Sequence, residues 1–120
     1  MSSIVAWALF ALGIAHIVFG LVRFKTPLAE AASAGFVGRF KAPEIRRTAF
    51  WFLIAGPLTV LAGHTAVHAV AVGDLALLRV VGTYTFVTAV VGVAAFPKSP
   101  FLALLVIAPL LIAAGYGVLP

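Results

Sequence analysis

Two histidines, His64 and His68, stand four residues apart in the stretch "GHTAVHAVAVGD" that runs from 63 to 74. On a helix that spacing puts both imidazoles on one face, one turn apart. Such a pair could grip a metal, ligate a porphyrin or move a proton. The zinc-hydrolase pattern H-E-x-x-H is incomplete here, because Thr65 holds the place of the general-base glutamate. A third ligand would have to be His16 or Asp74. Only spacing speaks for a metal, and none is expected.

Haem asks for less. One neutral imidazole suffices as an axial ligand, and an apolar helical bundle accepts a flat porphyrin. His64 or His16 would supply the ligand, with Arg79 near a propionate. The chain has no cysteine, hence no C-x-x-C-H attachment, so any haem would be non-covalent, of the b type. The third chemistry is a cavity for a lipophilic small molecule. There His64 would transfer a proton, Tyr84 would donate or orient, and Arg79 would hold an anionic or carbonyl group. The ligand-binding set on this reading is His16, Thr59, His64, His68, Arg79 and Tyr84, with His64 and Tyr84 as its catalytic members. Each residue also has a purely structural role open to it. The imidazoles can bridge helices by bonding threonine, tyrosine or backbone carbonyls. Arg79 can pair with Asp74 or snorkel to an interface.

The elements that carry these residues follow from composition. Of 120 residues, 64% are hydrophobic and 9% charged. A soluble domain carries about a quarter charged residues, so lipid is expected around most of this chain's surface. The fold expected is an all-α four-helix transmembrane bundle forming one domain over residues 1–120. Its spans are expected at 4–22, 48–72, 76–96 and 100–118, each near the roughly 20 apolar residues a crossing needs. The Gly73-Asp74 pair marks a tight turn and "PKSP" at 97–100 a break. Pro57 and Pro109 fall within spans, where neighbouring helices must satisfy the carbonyls they free. Residues 26–42 read as a short interfacial helix or re-entrant loop.

The net charge of +5 does not point to nucleic acid, because six of the eight basic residues share one stretch between two spans: Arg23, Lys25, Arg39, Lys41, Arg46 and Arg47. That is the pattern of a cytoplasmic loop under the positive-inside rule, and it can touch anionic head groups. Lys98 lies on the same side. Both termini and Gly73-Asp74 then face away from the cytoplasm. No basic residue precedes the first apolar run, which argues against a cleaved signal peptide. Glu30 and Glu44 are expected to pair locally with Arg39, Arg46 or Arg47, and Trp7 and Trp51 to anchor at interfaces.

Counted at about 1.5 Å per residue from the far face, His64 and Tyr84 lie roughly 12 Å deep and His16 some 6 Å deeper. Small residues share helix faces beside them: Gly13, His16 and Gly20; Gly56, Thr59 and Gly63; Gly82, Thr85, Ala89 and Gly92. Such faces let membrane helices approach closely. They are expected to turn His16 and His64 into the protein, with His68 reaching toward the outer rim.

The segments "ALGIAHIVFGLV" (11–22), "AFWFLIAGPLTVLAGH" (49–64) and "FPKSPF" (96–101) resemble an uncharacterised bacterial family of small four-helix integral membrane proteins. The resemblance covers most of the chain and is most specific in its middle segment. It takes in His16 with Gly20, and Phe50-Trp51-Phe52 leading to Gly56 and Pro57, but not His68. It implies the membrane topology and no activity. The expectation is therefore a protein of the bacterial inner membrane, homo-oligomeric, binding a lipophilic small molecule near His16, His64 and Tyr84, with its conversion left open. Its alternatives are a b-type haem protein and a non-catalytic assembly subunit.

Overall fold

Prolines and caps set the helix boundaries in the computed structural model, which describes residues 1–120. Helix α1 runs Ser2–Arg23 and α2 follows at once as Lys25–Ser33. Pro27 accounts for the break. It has no N–H to offer the Arg23 carbonyl, and its ring crowds that carbonyl. The interfacial helix expected within 26–42 is α2, and bends and turns fill the rest of that stretch.

Helix α3 spans Glu44–Val72, α4 Leu75–Ala95 and α5 Phe101–Gly115, so the chain is all-α with five helices. Gly73 and Asp74 end one helix and begin the next. Gly73 takes φ +73°, the left-handed region a Cβ disfavours. That turn lets its N–H reach the Val70 carbonyl at 3.3 Å and the Asp74 N–H reach Ala69 at 2.8 Å. Two carbonyls left over at the end of α3 are thereby satisfied. The Asp74 carboxylate then accepts from the Leu77 N–H at 2.9 Å and caps α4.

Three helices, α1, α3 and α4, are long and apolar enough to cross a membrane. At about 1.5 Å per residue they measure roughly 33, 43 and 32 Å, against a hydrocarbon core of about 30 Å. The fourth expected span is shorter than its sequence suggested. Helix α5 has 15 residues, not the stretch 100–118. Its end repeats the α3 device: the Gly117 and Val118 N–H groups bond to Ala114 and Ala113 at 3.1 and 3.0 Å, with Gly117 at φ +73°. The apolar run continues past that glycine, but the helix cannot.

The chain forms two compact units, one of Met1–Ala11 with Leu61–Pro120, the other Leu12–Val60. In the first, Val5, Ala6 and Leu9 of α1 meet Ala66 and Ala69 of α3, Leu78 and Val81 of α4, and Leu111 and Ala114 of α5. Gly63 lies against the backbone of Phe10, where a Cβ would collide. Gly82 lies against α5, and a Cβ there would stand 2.9 Å from the Ile112 nitrogen. The Ser2 N–H and hydroxyl bond to the Pro120 carbonyl at 2.7 and 2.8 Å. In the second unit, a Cβ on Gly13 would stand 2.6 Å from the Val60 nitrogen, and Gly20 lies under Phe52 and Leu53. The glycine faces read from the sequence are thus the packing faces.

The opposite faces are apolar and uncovered. Leu58, Leu61, Val87 and Val106 are each more than half exposed. Single exposed aliphatics are ordinary, but whole helix faces of them belong to proteins whose surroundings are apolar or filled by a partner.

The Asp74 cap has a measurable worth. Asp74→Ala is expected to lower stability by about 1 kcal/mol in detergent unfolding, and Asp74→Asn, which keeps the acceptor, to stay close to the parent. Equal stability of all three proteins would refute the cap.

Candidate functional site

His16 has a definite job. Its Nε2 donates to the Phe52 carbonyl at 2.7 Å, and its ring stacks on the Phe52 ring with centroids 4.0 Å apart and planes 16° from parallel. A carbonyl can only accept, so the proton sits on Nε2. Pro57 lies within α3 and has no N–H to offer the Leu53 carbonyl. The adjacent Phe52 carbonyl is the one His16 reaches. This is the helix-bridging role, imidazole to backbone.

The threonines behave likewise. Thr59, Thr65 and Thr88 each donate to the carbonyl four residues back, at 2.8, 2.7 and 2.9 Å. Their hydroxyls are satisfied within their own helices, a common habit of threonine in helices. Thr85 is buried on the face of α4 that also holds Gly82, Ala89 and Gly92.

His64 corrects the sequence-based orientation. It is exposed, not turned into the packed interior, and meets the Phe10 ring edge-on with centroids 6.3 Å apart. The interior stripe of α3 in this unit is Gly63, Ala66 and Ala69. His64 follows Gly63 by one residue, about 100° around the helix, and so leaves the seam. His68 is exposed on the same face, as its nearness to the helix end suggested. Tyr84 is also outward, 74% exposed. Among the expected site residues, His64, His68, Arg79 and Tyr84 belong to one unit and His16 and Thr59 to the other. No group of three or more His, Asp or Glu side chains is arranged to hold a metal ion.

Arg79 takes neither partner expected of it. Its Nη1 donates to the Gly115 carbonyl at 2.6 Å, and its guanidinium lies 5.3 Å from the centroid of Tyr116. A cation at the carbonyl end of α5 also complements that helix's dipole. Asp74 is occupied instead with its cap. In the basic segment, Glu30 pairs with Arg46 at 3.5 Å as anticipated.

Two surface grooves lie away from these side chains. One of about 400 Å³ is lined by Val87, Thr88, Val91, Gly92, Ala95, Phe96 and Phe101. Another of about 260 Å³ is lined by Gly38, Phe40, Lys41, Arg47, Phe50 and Trp51. Neither is lined by a histidine or by Tyr84. The second was not read as a groove from the sequence, although its aromatic run and its cations were each noted. Finding it needed the bend at residues 35–43 that brings Phe40 within 5.6 Å of Phe50.

Fold and site together define an all-α chain with three helices of membrane-crossing length and outward-facing polar rings on two of them. The chain belongs to the family of unknown function DUF6463, whose model matches residues 1–117. No curated protein and no solved structure matches it.

His16→Phe keeps the stacking surface on Phe52 and removes the donor. It is expected to lower stability by about 1 kcal/mol, the ordinary net value of one hydrogen bond. Chemical unfolding in detergent measures it, and no change would show that the bond carries no weight.

Proposed function

We propose that this protein is a small integral membrane subunit that acts by assembling with copies of itself, and that α3 presents the contact face. The observation that carries this reading is the exposure of both His64 and His68 on a helix long enough to cross a membrane. A polar ring on the outer face of such a helix is costly against acyl chains and stabilising against protein. Leu61 and Val72 continue the same face, both more than half exposed. Two copies facing each other along it would bring four imidazoles together within an apolar seam.

The topology we propose has α1, α3, α4 and α5 crossing a bacterial cytoplasmic membrane as a four-helix bundle. The segment that carries Arg23, Lys25, Arg39, Lys41, Arg46 and Arg47 would lie on the cytoplasmic side with Lys98, and both termini on the other. Helix α5 is short for a crossing, and its Pro100 and Tyr116 ends would reach the interfaces through local thinning or flanking residues.

A second reading is favoured by the groove of about 400 Å³ on α4 and α5. Its volume falls within the range of small-molecule sites, about 300–1,000 Å³, and its lining is apolar. It would take a lipophilic molecule beside Thr88, one turn from Tyr84. The haem reading would rest on His64, because His16 already gives its Nε2 to Phe52. An absorption spectrum of the purified protein distinguishes it by a Soret band.

His64→Leu combined with His68→Leu is expected to convert the oligomer to monomer in mild detergent while helicity by circular dichroism is unchanged. Native mass spectrometry reads the copy number. A parent protein that is monomeric, or a double variant with the parent's copy number, would overturn the proposal.

A further inference from the structure

The groove between the bend at residues 38–41 and the first turns of α3 pairs two cations with three aromatic rings. Lys41 and Arg47 are exposed at its edge, while Phe40, Phe50 and Trp51 line the rest. The Phe40 and Phe50 centroids are 5.6 Å apart, and Trp51 meets Phe50 edge-on at 5.3 Å. Gly38 holds φ +72° with nothing within 4 Å of where a Cβ would stand, so the mouth is open. The Arg47 guanidinium is anchored from one side only, donating through Nη2 to the Lys41 carbonyl at 2.9 Å. That bond ties the cation to the loop without neutralising it.

Charge in the segment is unbalanced in the same place. Between Arg23 and Arg47 six basic side chains face two acidic ones, Glu30 and Glu44, a net of +4. The ion pair there joins Glu30 to Arg46, which also leans toward the Arg39 carbonyl at 3.4 Å. Arg46 is therefore matched by an acid, while Lys41 and Arg47 keep their charge for something else. Glu44 opens α3 and sits at its positive dipole end.

We infer that this groove binds the phosphate of an anionic phospholipid headgroup, held by Lys41 and Arg47, with the glycerol and upper acyl carbons against Phe40, Phe50 and Trp51. The volume, about 260 Å³, suits a headgroup and not a whole lipid. Aromatic rings beside cations are the composition of a membrane interface, apolar on one side and wet on the other. Arg47 offers several N–H donors in a planar fork that matches phosphate oxygens, and Lys41 adds a point charge. The inference uses the membrane topology proposed above and is separate from self-association, since Arg47, Phe50 and Trp51 lie in the first turns of α3 and His64 and His68 in its last three.

Trp51 is the reporter. In a Trp7→Phe background it is the one tryptophan left, and its emission is followed in nanodiscs containing phosphatidylglycerol or phosphatidylcholine with brominated acyl chains. Quenching is expected to saturate at far lower mole fraction of the anionic lipid. Two surface cations predict a preference of about thirtyfold. Lys41→Gln with Arg47→Gln is expected to abolish that preference, and Lys98→Gln to leave it unchanged. Copy number by native mass spectrometry, taken on the same samples, separates this result from the fate of the assembly proposal. Equal quenching by the two lipids, a preference retained in the double variant, or displacement of the lipid by millimolar inorganic phosphate alone would overturn the assignment.

Discussion

Contact between helix backbones at glycine is what the remainder of the structure depends on. Gly63 against Phe10, Gly82 against Ile112 and Gly13 against Val60 each leave no room for a Cβ. In an apolar solvent there is little gain from hiding one aliphatic chain against another, and close packing must supply the attraction. Glycine permits that closeness. Large side chains then have nowhere to go but outward, and the two largest fully buried ones are Leu9 and Leu111. The inverted distribution, small inside and bulky outside, is the counterpart of the glycine seams.

Polar groups obey the same constraint. Three of those within the packed helices are bonded to backbone: His16 to Phe52, Arg79 to Gly115, Thr59 to Ala55. A helix end creates the acceptor that the arginine exploits. Gly115 stands at the last turn of α5, where carbonyls lack helical partners. The His16 and Arg79 bonds hold particular registers between helices, which apolar packing alone would leave free to slide. His64 and His68 of α3 and Tyr84 of α4 make no such bond, and they face outward.

Much of this was legible from residue order. Gly73-Asp74 announced its turn through two residue types with distinct mechanisms, a left-handed glycine and a capping carboxylate. The seams at Gly13 and Gly20, Gly56 and Gly63, and Gly82 and Gly92 were readable from spacings of three and four that run through the residues between them. What could not be read was which way His64 faces. A helix apolar on all sides carries no amphipathic signal, so only small residues mark the inner stripe, and Ala66 and Ala69 move it away from His64. Helix α5 was overestimated for a related reason: hydropathy continues through Val118, whereas the left-handed Gly117 stops the helix. The bond from His16 to Phe52 depends on the pairing of α1 with α3, which no local pattern encodes. Arg79 escaped for the same reason, its partner lying 36 residues away.

The account rests on lipid surrounding the outward faces of these helices. The chain has no cysteine, so single cysteines at Leu58, Val87 and Val106 carry nitroxide labels without further changes. In bilayers, oxygen should relax all three labels far more efficiently than a water-soluble nickel chelate does. Strong relaxation by nickel at all three positions would place those faces in water and contradict the account.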